Sequence, residues 1–216
     1  MSDPIIVTGI GRSGTTFTQH LLCRHPHIWI SGQPVIALST LNGWLDQLVS
    51  SAASGAEQNE RLNYYVPHFV SQDPIEIAAD FADLLYHRWA PQWYYRRRWG
   101  IKSPWAFLPA ECKLIDRLWP NAEWIVCFRD PQRVYESLCG TGHSFTREQV
   151  QAMHETAKAF AEERGALTLF VDEWDAESRP VHVANLLRSL GEEMTPEVAA
   201  FVERWPRIHA RETLPC

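Results

Sequence analysis

Three basic residues stand where a cation could act on a bound anion: Arg12, Lys102 and Arg129. Each comes within or soon after a stretch that reads as a strand, over residues 5–7, 99–104 and 122–128. Arg12 lies inside Gly9-Ile10-Gly11-Arg12-Ser13-Gly14-Thr15-Thr16. Phe17-Thr18-Gln19-His20-Leu21-Leu22 follows, with apolar positions at helical spacing. Strand, glycine-rich turn and helix together make the layout of a phosphate-binding loop. Glycines let the backbone turn tightly and bring its amides close to an anion. Unpaired amides and the positive end of the helix dipole then hold that anion. Gly11, Arg12, Ser13, Gly14, Thr15 and Thr16 are the candidate anion ligands on this reading.

The loop departs from the nucleoside-triphosphate pattern G-x-x-x-x-G-K-[ST]. Gly9 and Gly14 fit it, but Thr15 holds the lysine's place and the cation comes three residues earlier, as Arg12. A kinase or ATPase needs that lysine on its terminal phosphates, so a P-loop small-molecule kinase is the weaker reading. G-x-x-R-S-G-T-T resembles instead the 5′-phosphosulfate loop of sulfotransferases, which use 3′-phosphoadenosine-5′-phosphosulfate (PAPS). With the downstream His25-Pro26, the likeness is strongest to the tyrosylprotein and carbohydrate branches.

Two further motifs extend the resemblance over most of residues 5–139. Trp124-Ile125-Val126-Cys127-Phe128-Arg129-Asp130-Pro131, with Ser137 eight residues after the arginine, resembles the family's 3′-phosphate-binding motif. An arginine at a strand end offers a bidentate fork to a phosphate. Gly100-Ile101-Lys102-Ser103-Pro104-Trp105 resembles the Lys-x-Pro segment of the tyrosylprotein branch, and the likeness runs on through Leu118-Trp119-Pro120-Asn121-Ala122. In that family the lysine neutralises charge on the sulfuryl group and the leaving phosphate. The resemblance thus implies sulfuryl transfer from PAPS to a hydroxyl or amine of a small-molecule acceptor, with 3′,5′-adenosine bisphosphate (PAP) as product and no metal. Arg12 and Lys102 would be catalytic, and Arg129 and Ser137 would read the 3′-phosphate.

The departures from the family matter as much. Relatives carry a glutamate base in the turn after the second strand, where this chain reads Gly32-Gln33-Pro34-Val35. A glutamine orients an acceptor but takes no proton. His68, in an aromatic segment, is the first candidate for the base, followed by His87, Asp73 and His20. Val171 stands where relatives have a tyrosine beside the adenine, and the basic glycine loop of cytosolic relatives is not evident after Trp205. Arg204, Arg207 and Arg211 could substitute for it. These gaps keep open a non-catalytic, nucleotide-binding homologue. Tyr64, Tyr65, Trp89, Trp93, Tyr94, Tyr95 and Trp105 suggest an aromatic-lined acceptor pocket, with core and lid packing as the alternative.

The elements that must position these residues alternate. After the first strand and helix come a strand over 27–31, helices over 35–49 and 75–89, and strands over 99–104 and 122–128. Helices over 108–118, 131–139 and 145–164, a strand over 166–171, and helices over 181–190 and 196–205 complete the chain. Residues 50–59 read as a surface loop. This alternation predicts an α/β fold, a three-layer sandwich around a mostly parallel sheet of about five strands, as one domain over residues 1–216; the resemblance implies that it is P-loop-containing and sulfotransferase-like. Ligands in such sheets lie beyond the carboxyl ends of the strands, where the three cations gather.

Bulk properties agree and exclude. The 216 residues are 45% hydrophobic and 21% charged, enough for a substantial core. A net charge of −6 argues against broad nucleic-acid binding, though not against a local basic site for a nucleotide. The five cysteines, Cys23, Cys112, Cys127, Cys139 and Cys216, form no C-x-x-C pair, so neither a disulfide framework nor a zinc site is expected. No apolar run approaches the ~20 residues of a membrane span. A first strand this close to Met1 leaves no room for a signal peptide, so a cytoplasmic, bacterial-type protein is the expectation. Oligomeric state is open.

Overall fold

The computed structural model describes residues 3–32, 43, 46, 47 and 98–204, the side chain of residue 110 apart. The aromatic segment, the expected helix over 75–89 and most of that over 35–49 lie outside the described residues.

Five strands build one sheet: β1 (Ile5–Gly9), β2 (Ile28–Ser31), β3 (Arg98–Lys102), β4 (Glu123–Phe128) and β5 (Leu167–Phe170). Their order is β2-β3-β1-β4-β5, and every pairing is parallel. The central β1 is buried at all five positions, as both faces of a parallel sheet demand. Alternate side chains feed two cores. Ile6, Ile101, Trp124, Val126 and Phe128 face one; Ile5, Val7, Ile125 and Cys127 face the other. Helices α2 (Pro109–Leu118), α3 (Pro131–Cys139) and α4 (Arg147–Arg164) cover the first face. Helices α1 (Thr15–Leu22), α5 (Arg179–Ser189) and α6 (Pro196–Glu203) cover the second. The result is the expected three-layer α/β sandwich.

The boundaries follow local chemistry. Pro131 at the first helical turn and the Asp130 carboxylate, which accepts the Arg133 amide at 3.0 Å, start α3 sharply after β4. Thr146 and Gln149 form a capping box that starts α4 two residues later than apolar periodicity alone predicts, and left-handed Gly165 ends it. The strand expected to reach Val171 stops at Phe170, because Val171–Glu173 turn into a single 3₁₀ turn. Pro180 in the first turn of α5 sets that helix two residues earlier than expected.

The topology opens a crevice at a definite place. The chain leaves β1 into α1 on one face and leaves β4 into α3 on the other. Strands β1 and β4 are neighbours, with Val7 opposite Ile125 and Gly9 opposite Cys127. Connections that part to opposite faces leave a gap beyond the carboxyl ends of that strand pair.

Candidate active site

The glycine-rich loop crosses that gap. It is a tight turn in which the Ser13 amide donates to the Ile10 carbonyl at 3.0 Å. Gly14, the N-cap of α1, has φ 101°, and a Cβ there would meet Val171 Cγ2 at 2.8 Å. Only glycine combines that dihedral with that approach. No side chain caps the helix and no acid lies in its first turn. The amides of Thr15 and Thr16, in the first turn, have no acceptor within the helix and none from a capping side chain. Ser13 is 1% exposed, and its buried hydroxyl has no hydrogen-bond partner among the described residues. An orphaned buried hydroxyl inside a loop of open amides fits an anionic ligand.

The three cations reach this loop differently. Arg12, on a left-handed backbone with φ 73°, donates through Nε to Ser137 Oγ of α3 at 2.9 Å. Lys102 is the last residue of β3 rather than the first beyond it, and its Nζ donates to Thr16 Oγ1 at 3.3 Å. Burial disfavours the charged ammonium and holds its pKa below the ordinary lysine value of 10.5. Arg129 follows β4 and turns to Asp172, with Nε 3.3 Å from the carboxylate. Arg133 Nη1 lies 3.6 Å from the same group. Arg12, Ser13, Gly14, Thr15, Thr16, Phe17, Arg129, Val171 and Asp172 line one cavity of about 170 Å³.

The expected residues are therefore largely brought together, with one rearrangement. Ser137 meets Arg12, not Arg129. His68, Gln33, His87, Asp73, Arg207 and Arg211 lie outside the described residues. His20 is exposed in the last turn of α1, the end of the helix away from the loop. Val171, at the place of the family's tyrosine, does line the cavity, but with an apolar surface alone.

Two residues that the motifs did not single out, Asp172 and Phe17, belong to the site, and Trp105, expected in an acceptor pocket or in packing, packs against its loop. Asp172 holds Arg129. Phe17 lines the cavity with its ring stacked on Phe201 at 5.8 Å. Trp105 has φ 73°, donates its amide to the Gly9 carbonyl at 3.0 Å, and packs its indole so close to Gly11 that a Cβ there would sit 2.9 Å from Trp105 Cζ2. Phe107 and Phe145 hold that indole. A tryptophan three residues beyond a strand carries no signal of left-handed backbone. Asp172 depends on β5 pairing with β4, which residue types alone do not reveal.

Among the described residues one group has the spacing of metal ligands: His25, His27 and Glu192. It lies beyond the far end of α1. The His27 amide donates to His25 Nδ1 at 3.2 Å, which leaves the ring proton on Nε2 to donate to the Glu193 carbonyl at 3.1 Å. His27 Nδ1 is 3.0 Å from Glu192 Oε2. The group clasps the α1–β2 turn to the α5–α6 turn by hydrogen bonds.

A parallel five-stranded sheet covered by helices on both faces, with a glycine-rich loop at its switch point, defines a doubly wound α/β protein. Residues 4–196 match the model of the sulfotransferase family, and the chain belongs to that family. No curated protein matches the sequence. Among solved structures, the sulfotransferase domain of the curacin biosynthetic pathway is similar at 18% identity and TM-score 0.58, over 91% of this chain and 77% of that one. The sulfotransferase domain of the Synechococcus PCC 7002 olefin synthase matches at 16% identity and TM-score 0.59, over 92% and 77%. A sulfotransferase of Alicyclobacillus acidocaldarius matches at 14% and 0.51, over 92% and 88%. At these identities the likeness is one of fold. No described helix is long and apolar enough to cross a membrane.

Proposed function

We propose that this chain transfers a sulfuryl group from PAPS to a hydroxyl or amine of a small-molecule acceptor and releases PAP. The observation that carries the reading is the convergence of Arg12, the open amides of α1 and Arg129 on one cavity, with Lys102 tied to the same loop through Thr16. The acceptor oxygen or nitrogen forms a bond to sulfur as the bond from sulfur to the 5′-phosphate oxygen breaks. The amides of Gly14, Thr15 and Thr16 and the Ser13 hydroxyl hold the 5′-phosphate. Lys102 neutralises charge arising on the departing phosphate. Arg12 exchanges Ser137 for the sulfuryl oxygens, where a fixed cation lowers the barrier more than it favours the ground state. Arg129 forks onto the 3′-phosphate. The acceptor's proton leaves to a base, for which His68 is the candidate. The sulfuryl group carries less charge than a terminal phosphate, so fixed cations suffice in place of a divalent metal.

Cys23, Cys112, Cys127 and Cys139 are free thiols, which supports a reducing, cytoplasmic setting. The test is turnover: PAPS incubated with the protein and a panel of phenols, alcohols and amines, followed by mass spectrometry of sulfated product and PAP. Stoichiometric product and PAP are expected, with Arg12→Ala lowering the rate by about 10²–10³. PAP binding without turnover across the panel would favour the non-catalytic homologue. An Arg12→Ala variant at full rate would refute the assigned chemistry.

A further inference from the structure

We infer that Asp172 is the positioning residue for the 3′-phosphate site: it holds the Nε edge of Arg129 so that the terminal fork of the guanidinium serves the nucleotide. The inference rests on the proposed reading of Arg129. Arg129 Nε lies 3.3 Å from both Asp172 Oδ1 and Oδ2. Among the described residues no other hydrogen bond or ion pair engages Arg129. A guanidinium has five N–H donors, and its outer edge carries two parallel ones. With Nε on a carboxylate, that outer edge keeps its donors for a second anion. Both residues line the cavity that contains Arg12 and the open amides, so the second anion has a place.

The elements explain why the carboxylate sits there. Phe128 pairs with Phe170 across β4 and β5, and each strand ends at that pair. Arg129 and Asp172 are the first charged residues beyond the two ends. The 3₁₀ turn at Val171–Glu173 carries Asp172 back toward Arg129. The same carboxylate meets Arg133 at 3.6 Å from the first turn of α3. It thus lies between two guanidinium groups that would otherwise repel each other. Arg129 is 29% and Asp172 25% exposed at the side chain, so the pair is partly shielded from water while its outer side is open to a ligand.

Two other roles are possible for a carboxylate in this place, and they predict different numbers. A competitor would occupy Arg129 against the phosphate, and its removal would tighten binding. A merely structural brace would, on removal, weaken every ligand of the cavity alike. A positioning residue affects only ligands that carry the 3′-phosphate. Its isosteric amide, which still accepts from Nε, restores most of the effect.

The experiment measures dissociation constants of the full chain for PAP and for adenosine 5′-monophosphate by calorimetry. Wild type, Asp172→Asn and Asp172→Ala are compared, with thermal melts as a check on folding. Wild type should prefer PAP. Asp172→Ala should lose about tenfold in PAP affinity, the scale of one lost charge-assisted hydrogen bond, with the monophosphate changed by less than about twofold. Asp172→Asn should stay within about threefold of wild type for PAP. Tighter PAP binding by Asp172→Ala, or an equal loss for both ligands, would overturn the inference while the wild-type preference for PAP left the reading of Arg129 standing. A wild type that does not prefer PAP would overturn both.

Discussion

Arg12 projects from a left-handed backbone position that L residues rarely adopt, with its guanidinium on a neutral hydroxyl rather than a carboxylate. A weak neutral partner makes Arg12 easy to release to an anion, whereas a buried ion pair would not be. Lys102 differs, because burial already penalises its charge. The free protein should therefore lose the Lys102 proton below 10.5, the ordinary lysine value. An anion favours the protonated form, so PAP affinity should be highest at lower pH and fall as pH rises through that lowered pKa. Calorimetry at several alkaline pH values checks this. Lys102→Arg should move the fall to higher pH, because a guanidinium stays protonated there; an unchanged profile would contradict the role. At this scale the cations were legible, because each stands at or beyond the carboxyl end of an apolar strand and so has one place to go. The Arg12–Ser137 and Arg129–Asp172 partnerships were not, since they join residues 125 and 43 positions apart.

The loop and its supports act as a unit one level up. Trp105 closes on Gly11 from the β3 side, and Val171 closes on Gly14 from the β5 side. These contacts leave no room for a side chain at Gly11 or Gly14, so the loop's shape is set by neighbours from both halves of the sheet. Gly14→Ala must place a Cβ at φ 101° and against Val171. Left-handed backbone alone costs about 1–2 kcal/mol, so urea unfolding should show at least that loss, with weaker PAP binding beside it. A variant of wild-type stability would contradict the loop geometry. Helices α3, α4 and α6 were readable in advance from Pro131, Gly165 and Pro196, residues whose backbone constraints act locally. The early end of β5 was not, because a valine favours strand and only the path back to Arg129 turns it aside.

At the scale of the whole molecule, the parallel sheet and its two covered faces followed from strand–helix alternation, but the strand order did not. That order puts β1 beside β4, sends α1 and α3 to opposite faces, and so decides that the glycine loop and Arg129 share a cavity. Chemistry assigned from two distant motifs becomes one site only through this pairing. Sulfuryl transfer from PAPS requires that this cavity bind the sulfonucleotide. The direct measurement is calorimetric titration of the purified protein with PAP, ADP and Mg²⁺-ATP, with PAP repeated in EDTA. Tight PAP binding, unchanged by EDTA and stronger than either rival, is the predicted result. Preference for Mg²⁺-ATP, or loss of PAP binding in EDTA, would contradict a metal-free sulfonucleotide site.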